Sequence, residues 1–80
     1  MSTSAARWIA PVAVDVTFDK DVLQVRLSDG REVRVPLEWF PKLRDASVEQ
    51  RANWRLIGNG VGIHWPDIDE DLSVSGLLEH

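Results

Sequence analysis

From Val12 to Leu37 apolar residues recur at every second position in three successive runs, separated only by short polar segments. A period of two places alternate side chains on opposite faces, so each run is a strand with one face toward a core and the other toward water. In the first run Val12, Val14, Val16 and Phe18 share a face, opposite Ala13, Asp15 and Thr17. The polar turn Asp19-Lys20-Asp21 leads to a second run, in which Leu23, Val25 and Leu27 alternate with Gln24, Arg26 and Ser28. Asp29-Gly30 is a strong hairpin signal, because the favoured two-residue turn needs positive φ at both central positions. Val33, Val35 and Leu37 then alternate with Glu32, Arg34 and Pro36. Pro36 has no N–H for a ladder, so it marks the end of the third strand or its exposed edge. Turns this short join neighbours antiparallel, and a three-stranded meander is the predicted result.

Beyond the meander the period changes. Leu37 to Leu43, punctuated by Pro41, reads as a turn or helical fragment in which Trp39, Phe40 and Leu43 cap one end of the core. Ser47-Val48-Glu49-Gln50 fits the capping box, in which the Ser hydroxyl accepts from the N–H three residues on and the Gln side chain reaches back. A short helix is predicted from Val48 to about Trp54, with Val48, Arg51, Ala52 and Arg55 along one side and the arginine stems covering apolar surface. Gly58-Asn59-Gly60 breaks it, and Val61, Ile63 and Trp65 alternate with Gly62 and His64 in a fourth strand. Gly62 marks a bulge or a close backbone approach. Pro66 ends that strand, Asp67 to Asp71 is an acidic loop, and Ser73 is placed to cap a final helical turn running to Leu78. The fold class is therefore α+β: a small antiparallel sheet, a three-stranded meander plus a fourth strand, with one or two short helices.

Eighty residues suffice for one domain, with the structured part expected from about 10 to 77; Leu78-Glu79-His80 resembles the start of a purification tag. The absence of cysteine excludes disulfides, zinc–thiolate sites and cysteine nucleophiles. A formal charge of −4 and a pI near 4.9 argue against binding a phosphate backbone, so no direct nucleic acid binding is expected. No apolar run approaches the ~20 residues that span a bilayer, and Met1–Ala10 lacks the pattern of a signal peptide. A cytoplasmic location without membrane contact is the expectation.

Few residues offer chemistry. His64 beside Asp67, Asp69, Glu70 and Asp71 is the one grouping that suits a hard cation, yet counted as a calcium loop from Asp67 it puts Leu72 where the turn glycine belongs and Leu78 where the bidentate Glu belongs. No metal or other cofactor is expected. An imidazole is a common general base near neutral pH, but the sequence marks no nucleophile for His64, and no nucleophile elbow, metalloprotease helix or Walker loop is present. Gly58 to Gly62 leads from helix into strand, the reverse of a phosphate cradle. Of the four tryptophans, Trp54 and Trp65 are expected in the core, while Trp8 and Trp39 are open to a core or a partner-binding role. The open edge of a meander is a further place where a second chain can add.

The block Gly60-Val61-Gly62-Ile63-His64-Trp65-Pro66-Asp67-Ile68-Asp69-Glu70-Asp71, with Val14-Asp15-Val16, Asp29-Gly30, Val35-Pro36-Leu37 and Phe40-Pro41 before it, resembles the small bacterial domain-of-unknown-function family 2442. The resemblance covers nearly the whole chain and implies an α+β fold with a small antiparallel sheet. It also implies a paired module, since similar proteins are often encoded beside a second small protein, commonly of domain-of-unknown-function family 4160, in a toxin–antitoxin-like arrangement. Some carry a following helix-turn-helix, for which this chain has no room. The expectation is a non-enzymatic protein–protein interaction domain that binds a small, basic protein encoded nearby through Trp39, His64, Asp67, Asp69 and Glu70. The alternative is a metal-dependent hydrolase or small-ligand-binding protein using His64 with Asp67, Asp69 and Asp71. A homodimer is compatible with either, since a small domain with an open edge gains burial by pairing.

Overall fold

The computed structural model describes residues 10–79; Trp8 and His80 lie outside them. Strands β1 (Ala13–Asp19), β2 (Val22–Leu27) and β3 (Glu32–Pro36) form the expected antiparallel meander in the order β1-β2-β3. Lys20 takes the left-handed conformation, φ 51°, in the first turn. The second connection departs from expectation: Gly30 donates to the Leu27 carbonyl at 3.0 Å and Leu27 donates to the Arg31 carbonyl at 2.8 Å, which closes a three-residue loop, Ser28 to Gly30. Only Gly30, at φ 93°, takes a positive φ there. Asp29 serves instead through its side chain, accepting from the Arg31 backbone N–H at 3.1 Å and from Arg31 Nε at 2.8 Å. That backbone N–H, and then the guanidinium, hold the Asp29 carboxyl below the usual carboxylate range.

The start of β1 also differs. The register moves from Ala13↔Leu27 to Asp15↔Arg26, one extra residue in β1, so the face changes within the strand. Ala13 and Val16 are buried and Val14 is exposed, where strict alternation put Val14 inside and Ala13 outside. The bulge brings the Ala13 backbone against Gly60, whose φ is 101°. A Cβ on Gly60 would lie 2.6 Å from the Ala13 oxygen, a position no side chain can share.

A 3₁₀ turn (Leu37–Trp39) and two single-turn helices follow, α1 (Pro41–Arg44) and α2 (Val48–Ala52). Leu37 and Leu43 are buried as core caps, whereas Trp39 stands 49% exposed. The capping box is present in both directions: Gln50 N–H donates to Ser47 Oγ, and Ser47 N–H donates to Gln50 Oε1, each at 3.0 Å. The helix stops at Ala52, and Arg55, expected on its side, begins a strand instead. Tertiary pairing overrides the helical spacing there, because Arg55–Ile57 finds a neighbour in the strand that follows the glycines.

That strand centres a second sheet. Strands β4 (Arg55–Ile57), β5 (Gly62–Trp65) and β6 (Glu70–Ser73) pair antiparallel in the order β4-β5-β6. The predicted fourth strand thus does not join the meander, and Glu70 and Asp71 of the predicted acidic loop are strand. Leu56, Ile63 and Leu72 lie in register on one face, and Arg55, His64 and Asp71 on the other. Gly62 is a close approach rather than a bulge: a Cβ there would meet the Ile57 side chain at 3.0 Å. Val61 precedes the strand and is exposed. Helix α3 (Val74–Leu78) closes the chain, with Ser73 Oγ accepting from Gly76 N–H at 3.0 Å. The two sheets and the helices enclose one core, in which Leu23, Val25, Leu43, Ile63 and Trp65 are wholly buried, and Phe18 meets Trp65 edge to face at 6.4 Å. The α+β class stands, built from two small sheets.

Candidate functional site

Two surfaces carry side chains not consumed by the fold. The first is the tip of the second sheet, the turn Pro66 to Asp69 between β5 and β6. It is closed by Ile68 N–H on the Trp65 carbonyl at 3.4 Å, and Asp69 adopts φ 53°. Asn53, where α2 ends, donates its amide to Asp67 Oδ2 at 3.0 Å, and Lys42 of α1 donates Nζ to the Asp69 carbonyl at 3.0 Å. Both aspartates are exposed, and among the described residues neither pairs with a cationic side chain.

The residues singled out from the sequence are not one constellation. Asp67 and Asp69 share the turn. His64 lies on the outer face of β5, where its Nδ1 is bonded to Asp71 Oδ1 across the β5–β6 pair. Glu70 stands opposite Trp65, one step along, and so belongs to the other face of the sheet. Trp39 sits in the 3₁₀ turn, three residues before Lys42. Close by, Arg44 donates to Asp45 at 3.0 Å and to Glu38 at 3.3 Å, and its guanidinium holds the Asp45 carboxyl below the usual range. Among the described residues no three of His, Asp and Glu gather as metal ligands. The His64–Asp71 pair could orient an imidazole, but Ser73, the nearest hydroxyl along β6, is engaged as the cap of α3.

Of the second surface only one wall, the open edge of the meander, was read from the sequence. An open groove of about 490 Å³ runs between β1 and α2, lined by Val16, Thr17, Phe18 and Lys20 on one side and Val48, Arg51, Ala52 and Trp54 on the other. Arg51 braces it: Nε donates to the Leu43 carbonyl at 2.9 Å, Nη2 to the Arg44 carbonyl at 2.8 Å, and the guanidinium lies 5.5 Å from the Phe18 ring centroid. Trp65 Nε1 ties β5 to the same helix by donating to the Arg51 carbonyl at 3.0 Å. Val48 is 79% exposed. For the other wall the one available signal was Val48 itself, an apolar residue directly after the Ser47 cap, which the helical spacing assigned to a covered side.

Comparison with known proteins agrees with this architecture. The family described as "Protein of unknown function (DUF2442)" matches residues 13–80. A crystal structure of a protein of unknown function from Rhodospirillum rubrum superposes with a TM-score of 0.75 at 30% identity, covering 89% of this chain and 88% of the other. The solution NMR structure of an uncharacterised protein from Chromobacterium violaceum gives a TM-score of 0.72 at 24% identity, over 85% of this chain and 64% of that one, a likeness of fold alone. No curated protein matches. Among the described residues no helix is long and apolar enough to cross a membrane.

Proposed function

Because the chain belongs to the family of proteins of unknown function DUF2442, we propose that it is a non-enzymatic protein–protein interaction domain, the accessory or antitoxin-like half of a two-gene module, whose acidic tip binds a small basic protein encoded nearby. The observation that carries this reading is the fixed backbone of the Pro66–Asp69 turn. Lys42 holds its backbone at the Asp69 carbonyl and Asn53 holds the Asp67 side chain at Oδ2, while among the described residues neither exposed carboxylate has a cationic partner. Charges positioned in advance lose little freedom on binding and steer an oppositely charged partner into register. Glu70 and His64 flank the turn on the two faces of the sheet, and half-exposed Trp39 supplies apolar contact area beside Lys42. The non-enzymatic reading is supported by Ser73, the nearest hydroxyl along β6 to the His64–Asp71 pair, being spent on a helix cap.

The test is co-expression with the product of the adjacent gene, followed by size-exclusion chromatography of the wild type and of an Asp67→Asn, Asp69→Asn variant. The expected result is one co-eluting complex for the wild type and at least a tenfold loss of affinity for the variant, with the circular dichroism unchanged. Two separate peaks at micromolar concentration, or a complex indifferent to the substitutions, would overturn the reading.

A further inference from the structure

We infer that the groove between β1 and α2 accepts an extended segment of another protein, added as a strand to the outer edge of β1, with alternate apolar side chains and carboxylates at the end that reaches Lys20. This site is independent of the acidic tip.

Three observations carry it. Among the described residues β1 is an edge, paired only with β2. The two-residue turn Lys20-Asp21 makes Asp19↔Val22 a hydrogen-bonded pair, so Thr17↔Gln24 is one also, and the N–H and C=O of Val16 and Phe18 point to the free edge. The Val16 N–H is taken by Asp15 Oδ1 at 2.9 Å, which leaves the Val16 carbonyl and both backbone groups of Phe18 for an added strand.

Second, the groove lies along that edge. Val16, Thr17 and Phe18 all line it although successive side chains of a strand alternate between faces, and Thr17 Oγ1 is bonded to Gln24 Oε1 on the solvent face. A groove touches three consecutive strand residues in this way when it follows the strand's margin. Its far wall is α2, so a peptide there would pair with backbone on one side and place alternate side chains against Val48, Ala52 and Trp54 on the other.

Third, charge selects the occupant. The only ionisable residues lining the groove are Lys20 and Arg51, and no carboxylate lies within ion-pair distance of either among the described residues, in a chain whose net charge is −4. The carboxylates on the neighbouring sheet face are already matched: Asp15 lies 3.7 Å from Arg26, and Asp19 lies 3.9 Å from Arg34. Arg51 is held over Phe18, so both cations stand toward the Phe18–Lys20 end. An acidic-ended segment fits there and a lysine-ended one does not. A second copy added through β1 about Thr17 would set Asp15 opposite Asp19, two like charges face to face.

The experiment uses isotope-labelled protein and two pools of seven-residue peptides with apolar residues at alternate positions, one pool ending in two glutamates and the other in two lysines, followed by amide NMR. The glutamate pool should shift Val16, Phe18, Val48 and Ala52 saturably at millimolar peptide and slow exchange of the Phe18 amide. The lysine pool should bind at least tenfold more weakly, and so should the glutamate pool when each peptide carries a central proline. Val48→Glu, at an exposed position where folding is unaffected, should also cost tenfold or more. Equal binding of the two pools, absence of groove shifts with either, indifference to proline or to Val48→Glu, or shifts of the same amides on concentrating the protein alone, the mark of a second copy, would each overturn the proposal. None of these outcomes bears on the Asp67 and Asp69 test.

Discussion

The two sheets have the same strand count and the same antiparallel order, yet they are held by different means. In the first, strands of five to seven residues are linked by tight turns, and Ala13, Val16, Leu23, Val25, Leu27 and Val35 all point into the core. The second has strands of three or four residues and gives the buried core only Ile63 and Trp65, with all three residues of β4 exposed. Short strands with little burial are marginal by themselves. The second sheet exists because Trp65 anchors it, through the Phe18 ring on one side and the Arg51 carbonyl on the other.

That dependence can be broken at its anchor. Trp65→Ala is expected to cost about 3–5 kcal/mol, comparable with the whole stability of so small a domain, roughly 3–5 kcal/mol. Loss of cooperative thermal unfolding by circular dichroism checks it; a variant that still melts cooperatively near the wild-type temperature would mean that the second sheet stands without its anchor. The glycines sharpen the contrast. Gly60→Ala meets the Ala13 oxygen as well as backbone strain, so about 2–4 kcal/mol is expected. Gly30→Ala, at φ 93° with no atom within 4 Å of the new Cβ, carries the strain alone, about 1–2 kcal/mol. Urea unfolding of both variants gives the order, and equal losses would show that the contact between the strand start and the second glycine segment is of no consequence.

The smallest effect is expected at Asp29, and it should depend on pH. Its folded carboxyl is held below the ordinary range, so its contribution is present above the unfolded value and is lost as pH falls through the folded one. Asp29→Asn should therefore melt slightly below the wild type at pH 7 and at the same temperature near pH 2. A difference that persists in acid would mean that the Asn side chain itself, and not the lost charge, disturbs the loop.

Legibility in the sequence followed the same division. The meander could be read because its information is local: alternation sets the faces and turn residues set the reversals. The misreading of Val14 came from the bulge, which answers to Gly60, far along the chain. β4 and β6 were missed because Arg55-Leu56-Ile57 and Glu70 to Ser73 are too short to show a period, and they become strands only beside β5. The aspartates of the acidic tip were visible as a charge run, but the sequence did not tell that Glu70 and His64 face opposite ways, which needs the strand register. The groove left almost no trace, since it is made from the edge of one element and the side of another.

The contact of Gly60 with Val12 and Ala13 also bears on the order in which the fold is completed. β1 is synthesised before every other described element, and it can pair with β2 as soon as the first hairpin has emerged. Its first residues are held within the hairpin by the Ala13↔Leu27 pair and by Ser28, but the glycine that closes on Val12 and Ala13 arrives more than forty residues later, a contact of long sequence separation that forms late. The first strand of the meander thus receives one of its neighbours only after the whole meander and both single-turn helices have been made.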